Sequence, residues 1–109
     1  MSDRRIEAYS VYLVRLGPTV GVEMSKERPC AVVSPEVMHR MTRSVIIAPL
    51  TSQRREWPTR VACRFQGVDG EIALDQIRSV DRQRLLKRLG TIDAATAAKT
   101  RATLAELFG

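Results

Sequence analysis

The sequence is poor in the residues on which most catalytic chemistry depends. It has one histidine, two cysteines, one tryptophan, two tyrosines and two phenylalanines in 109 residues. A single histidine, His39, excludes a two-histidine acid–base pair within one chain. There is no H-E-x-x-H and no cluster of His and Cys at ligand spacing, so no metal is expected. Cys30 and Cys63 form no C-x-x-C and read as small buried hydrophobes in strands. Neither a G-x-x-x-x-G-K-S/T loop nor a G-x-G-x-x-G turn occurs, which removes the nucleotide-binding folds built on them, and no cofactor is expected. No apolar run approaches the ~20 residues of a membrane span. Residues 1–5 are polar and the apolar run at 11–14 is too short for a secretory signal, so the expected location is cytoplasmic. Lysine is scarce too. Lys26, Lys87 and Lys99 are the only lysines among the 18 basic residues.

What remains is an arginine-rich globular chain. The length suits one domain over residues 1–109. Such a chain buries roughly 65% of its unfolded surface, enough for one modest core. Hydrophobic residues make up 44% and charged residues 28%, which excludes a disordered chain. The net charge is +6. It is concentrated between Arg40 and Gln66, where Arg40, Arg43, Arg54, Arg55, Arg60 and Arg64 face one acid, Glu56. Arginine presents a planar fork of donors that matches phosphate, so this segment points to a polyanion partner. The alternative is a solvated face of an arginine-rich protein.

The first two-thirds read as short strands. Residues 10–16 are rich in β-formers, with Val11 and Leu13 on one face and Tyr12 and Val14 on the other. A polar loop follows at 20–27. Cys30-Ala31-Val32-Val33 is continuously apolar, as in a strand covered on both faces. Ser34-Pro35-Glu36 is a helix-start signal, with Ser34 as the capping hydroxyl and a short helix to about Met41. Residues 44–50 form another apolar strand, and 51–58 a second polar loop. Residues 59–65 alternate, with Val61, Cys63 and Phe65 opposite Arg60, Ala62 and Arg64. Gly67-Val68-Asp69-Gly70 reads as a hairpin turn, and 71–80 as two short strands or one bent one. Asp81 is placed to cap a short helix through Leu86, ended near Gly90. Asp93 is placed to cap a last helix over 94–107, with Leu104, Leu107 and Phe108 as its packing face. The fold class is mainly β with a C-terminal helix, a strongly bent antiparallel sheet or small open barrel.

Two loop–strand junctions gather polar chemistry. Arg28 precedes Pro29, which holds its backbone extended at the mouth of an apolar strand, a candidate anion site. Thr51 and Ser52 end another strand and offer hydroxyls to phosphate oxygens, or serve simply as turn residues.

The pattern of these segments resembles the MazF/PemK toxin family. Arg28-Pro29-Cys30-Ala31-Val32-Val33-Ser34 is similar to its Arg-Pro strand, and Gly17-Pro18-Thr19-Val20-Gly21-Val22-Glu23 to its first loop. Ala48-Pro49-Leu50-Thr51-Ser52, Trp57-Pro58-Thr59 and Ala73-Leu74-Asp75-Gln76-Ile77-Arg78-Ser79-Val80 resemble three further segments, in the family's order. The chain departs from the pattern at Glu7-Ala8-Tyr9-Ser10-Val11, which lacks the usual glycine, at Gly17, where an acid is common, and at Met24. The resemblance implies an SH3-like small barrel of the MazF/CcdB-like toxin fold. It implies a homodimeric, metal-independent endoribonuclease that cuts single-stranded RNA to a 2′,3′-cyclic phosphate and a 5′-hydroxyl, neutralised by a cognate antitoxin. The catalytic positions it implies are Arg28 and Thr51, with Asp75 functional in part of the family.

Cleaving RNA through its own 2′-hydroxyl needs a base, a donor set for the crowded phosphorane and an acid for the 5′ oxygen. Arg28 and Thr51 suit the second task. Arginine, with a pKa of ~12.5 or more, is a poor base. Asp75 is the alternative base, or else a structural acid paired with Arg78 or a backbone amide. Arg54, Arg55, Arg60, Arg64, Arg78 and Lys26 are placed to hold the RNA backbone. Glu23 and Gln53 are placed to read base edges, Ser52 offers its hydroxyl to a phosphate oxygen of the RNA, and Trp57 is the candidate stacking platform. The competing functions are a toxin of the same fold that inhibits DNA gyrase, and a non-catalytic RNA-binding barrel.

Overall fold

The computed structural model describes residues 5–17 and 27–109. Glu23, Lys26 and most of the first polar loop lie outside the described residues. The elements run β1 (Ser10–Arg15), β2 (Glu27–Val32), α1 (Glu36–Met41), β3 (Ser44–Thr51), β4 (Arg60–Phe65), β5 (Val68–Ala73), β6 (Arg78–Asp81), β7 (Leu85–Thr91) and α2 (Ala94–Phe108). Short 3-10 turns at Leu74–Gln76 and Arg82–Arg84 flank β6. Every pairing is antiparallel, in the order β4-β5-β3-β2-β1-β7, with β6 also on β3.

The sheet bends at β3. One edge of β3 pairs with β2. The other edge is shared: β6 takes Ser44 to Ile47 and β5 takes Leu50 and Thr51. A strand that changes partner midway turns a flat sheet into a half-barrel. Both faces of the central strands are therefore buried. Tyr12, Val14, Cys30, Val32, Val45 and Ile47 enter one core cluster, while Val11, Ala31 and Ala48 enter a second with Val61, Ile72 and Leu74. The continuous apolar run in β2 follows from this, since alternate side chains leave on opposite faces.

Three local readings are corrected. The β4–β5 turn is Gln66-Gly67, because Phe65 pairs with Val68 and the ladder runs through Asp69 and Gly70. Both turn residues have positive φ, 52° and 80°, the twist a two-residue hairpin requires. Asp81 does cap, accepting from the Gln83 amide at 2.8 Å, but it opens only the 3-10 turn. Residues 85–91 are then β7, pairing with the edge of β1 that β2 leaves open. Gly90 does not end a helix. A Cβ there would lie 3.1 Å from the Phe65 ring, so the glycine admits that ring.

The third correction concerns the helices. Ser34 does not cap α1; Pro35 holds the N-cap position without a side-chain bond. The buried Ser34 hydroxyl instead meets His39 Nε2 at 2.6 Å and accepts from the Ile46 amide at 2.9 Å. His39 Nδ1 lies 2.6 Å from the Ile6 carbonyl, which can only accept, so that nitrogen carries hydrogen. His39 is thus a buried tie between α1, β3 and the N-terminal segment. In α2 the Asp93 cap holds, accepting from the Thr96 amide at 2.7 Å. Its packing face is Ala97 and Thr100 with Leu104 partly covered, small residues that let the helix lie close to the sheet. Leu107 and Phe108 are exposed. No helix among the described residues is long and apolar enough to cross a membrane.

Candidate active site

Arg28 and Thr51 come together through sheet register. The β2–β3 ladder runs from Val32↔Ile47 to Cys30↔Pro49, and Arg28 and Thr51 each lie two residues beyond that last pair. Pro29 has no amide hydrogen, so the ladder goes no further. Gly70 of β5 packs against the Thr51 backbone on the other side. A Cβ at Gly70 would run into the Thr51 carbonyl oxygen. The Thr51 hydroxyl accepts from the Gln53 amide at 3.1 Å and keeps its own proton to donate.

A cavity of about 230 Å³ opens at this point. Arg28, Thr51, Gln53, Arg55 and Trp57 line it, with Arg60 and Gln76. Three separate stretches of chain converge there. Arg28 Nε is buried and has no hydrogen-bond partner among the described residues. An orphaned cationic donor beside a polar cavity suits an anionic oxygen.

The remaining expected residues are placed otherwise. Ser52 is exposed beside Thr51. Arg54 lies 3.6 Å from Glu71. Arg78 is exposed on β6, and its charge, with that of Arg28, acts on the Cys30 thiol. Burial outweighs both cations and pushes that thiol up to about 12, so Cys30 is no nucleophile. Arg64 pairs with Asp69 at 2.9 Å and, unlike Arg60, is not among the residues lining the cavity. Asp75 does not pair with Arg78. Arg60 Nε donates to it at 2.7 Å and the Thr59 hydroxyl at 3.1 Å. The Arg60 bonds are the main cause that holds the Asp75 pKa below its ordinary value. Its neighbour Gln76 lines the cavity instead.

The residue that sequence reasoning missed is Glu71. Its side chain is 2% exposed in the middle of β5. Oε1 accepts from the Arg55 amide at 3.0 Å and from Arg60 at 3.1 Å, and Oε2 accepts from the Glu56 amide at 2.9 Å. Burial alone would raise its pKa; these bonds outweigh it and hold the carboxylate below its ordinary value. Arg60, only 5% exposed, lies between Glu71 and Asp75 with its guanidinium 4.7 Å from the Trp57 ring centre. The signal was an acid inside the apolar run Gly70-Glu71-Ile72-Ala73-Leu74, since a buried carboxylate must find donors. Among the described residues no three His, Cys, Asp or Glu gather as metal ligands.

A bent antiparallel half-barrel with an arginine–threonine cavity at its strand ends defines a class of small β protein. The chain belongs to the family described as the PemK-like, MazF-like toxin of type II toxin–antitoxin systems, whose model matches residues 7–108. It is 33% identical over 89 residues to endoribonuclease EndoA of Bacillus subtilis, covering 76% of this chain and 77% of that protein. The structure of MazF from Deinococcus radiodurans superposes with a TM-score of 0.81 at 29% identity, over 98% of this chain and 99% of that one. A mycobacterial endoribonuclease in complex with its cognate antitoxin gives 0.76 at 27% identity, over 93% and 92%.

Proposed function

We propose that the chain is an endoribonuclease toxin that cuts single-stranded RNA, without metal, through the substrate's own 2′-hydroxyl. The observation that carries this reading is Arg28, whose buried Nε has no partner among the described residues and which lines one cavity with Thr51. The naming of its relatives as endoribonucleases supports RNA over a gyrase target.

In this reaction the 2′ oxygen bonds to phosphorus as the bond to the 5′ oxygen breaks. One proton leaves the 2′-hydroxyl and one reaches the departing oxygen, giving a 2′,3′-cyclic phosphate and a 5′-hydroxyl. Arg28 and Thr51 donate to the non-bridging oxygens, where charge builds in the transition state. Asp75, with its oxygens engaged by Arg60 and Thr59, serves position rather than proton transfer. Gln53 meets a base edge, the Ser52 hydroxyl a phosphate oxygen, the exposed Trp57 stacks a base, and Arg54, Arg55 and Arg78 hold the strand. Glu23 and Lys26 contact the same RNA from the first loop. The active form is a homodimer, and a cognate antitoxin neutralises it by covering this groove.

The test is incubation with a long single-stranded RNA in EDTA, beside Arg28→Ala and Thr51→Ala, with the ends mapped. Discrete cuts with cyclic-phosphate ends, reduced ~10²–10³-fold in each variant, are expected. RNA left intact by folded protein, across several sequences, would overturn the reading.

A further inference from the structure

Loop 52–59 carries Gln53, Arg55 and Trp57 to the cavity, with only short-range bonds of its own: Arg55 to the Gln53 side chain at 3.2 Å and the Arg60 amide to the Trp57 carbonyl at 2.9 Å. It has no helix or strand, and residues 52–58 are exposed. Its longer-range anchors come from β5. The Glu71 carboxylate, fixed in β5 opposite Ala62 of β4, takes the amide hydrogens of two successive loop residues, Arg55 and Glu56. Glu56 has φ of 56°, left-handed backbone that a non-glycine residue adopts only when held. Arg60 completes the device. It bonds Glu71 on one side and Asp75 on the other, and Trp57 lies over it. Arg54 adds a looser ion pair at 3.6 Å.

These contacts have one consequence for the cavity. Arg28 and Thr51 are set by strand register; Thr51 is the ladder partner of Glu71 through the backbone, while the Glu71 carboxylate points its bonds at the Arg55 and Glu56 amides and at Arg60. The Gln53 amide is held by the Thr51 hydroxyl, but its side chain is bonded by Arg55, and the backbone that carries Arg55 and Trp57 is held by Glu71. We propose that Glu71 is a positioning residue for RNA recognition: it holds loop 52–59 so that Gln53, Arg55 and Trp57 face the nucleotides flanking the phosphate at Arg28 and Thr51. This rests on the endoribonuclease reading above. The charged groups facing Glu71 are Arg54 and Arg60, with Asp75 behind Arg60, while Arg55 and Glu56 meet it through their backbone amides.

Glu71→Gln is the variant of choice. It keeps the shape, but its amide nitrogen turns a donor toward one of the two loop amides. On free protein, amide exchange at Arg55 or Glu56 accelerates ~10-fold or more, with the β-strand amides unchanged. In steady-state cleavage KM rises ~10-fold while kcat stays within ~3-fold, because the loop binds and the strand ends react. In an Arg55→Ala/Trp57→Ala background, Glu71→Gln adds little to KM, as residues acting through one another are not additive. Unchanged exchange overturns the anchoring. An unchanged KM, a loss confined to kcat, or full additivity overturns the positioning role.

If Glu71→Gln does not fold, the amide chemical shifts of Arg55 and Glu56 in the wild-type protein replace it. They titrate together in one acid step if the carboxylate is their shared acceptor, and separate titration overturns the proposal. A wild-type protein that cuts no RNA defeats the function and this role with it. The exchange result then tells loop anchoring apart from that failure.

Discussion

Arg60 and Asp75 form the shortest ion pair among the described residues, 2.7 Å from Nε to Oδ1. A second donor of the same guanidinium reaches Oδ2 at 3.4 Å. A carboxylate gripped this way has its charge stabilised, which weakens it as a base. Asp75→Asn is therefore expected to cost about 1–3 kcal/mol of stability, since Arg60 stays buried with one charged partner fewer. Its cleavage rate, per folded molecule, falls less than ~10-fold. Thermal or denaturant melts and kcat measured together check this. A drop of ~10²–10⁴ in a folded variant would restore Asp75 as the base.

Gly70 tests how tightly Thr51 is set. Gly70→Ala pushes a methyl into the Thr51 carbonyl, and β3 must move. A shift of ~1 Å at the reacting groups lowers the rate ~10²-fold. The expected outcome is a fall in kcat with KM for RNA changed little.

Arg28→Lys keeps the charge and removes the fork. Lysine has no counterpart of the buried Nε donor, so the variant is expected to lose ~10²-fold in kcat. Wild-type-like cleavage by Arg28→Lys would mean that charge alone suffices there.

Acid should unfold the protein partly through Glu71 and Asp75. Both pKa values lie below their ordinary 4.5 and 3.8 in the folded state. Between the lowered and ordinary values the unfolded chain binds more protons, so stability rises with pH. Their contribution is complete above the ordinary values and is lost as pH falls through the lowered ones. Melting temperature against pH should drop below about pH 4.5, and the Glu71→Gln curve should be flatter there.

Ser34→Ala separates stability from chemistry. It strands the Ile46 amide and His39 Nε2 inside the protein, at a cost of about 1–3 kcal/mol. Far from the cavity, it should leave kcat per folded molecule unchanged.

The strands, the Asp93-capped helix and the two-faced burial of β2 were legible because they depend on nearest-neighbour pattern. Alternation, a proline and a capping acid act within a few residues of chain. β7 was not legible. Its Lys87-Arg88-Leu89-Gly90 segment has helix-ending chemistry, and only the open edge of β1 makes it a strand. The charge map also changed on folding. Arg43, Arg54, Arg60 and Arg64 lie in the basic stretch of the sequence, yet each meets an acid from β5, the turn after it or β6.

The sequence alone determined the kinds of chemistry open to this protein: an arginine held by a proline, a threonine at a strand end, and no histidine pair. Those depend on residue type and on short-range backbone restraint. Only the tertiary structure decided which charges face the cavity. Glu71 and Asp75 are distant in sequence from the loop they hold, and their partners follow from strand register. A buried carboxylate takes whatever donors the fold brings within 3 Å, and that distance is a property of the sheet.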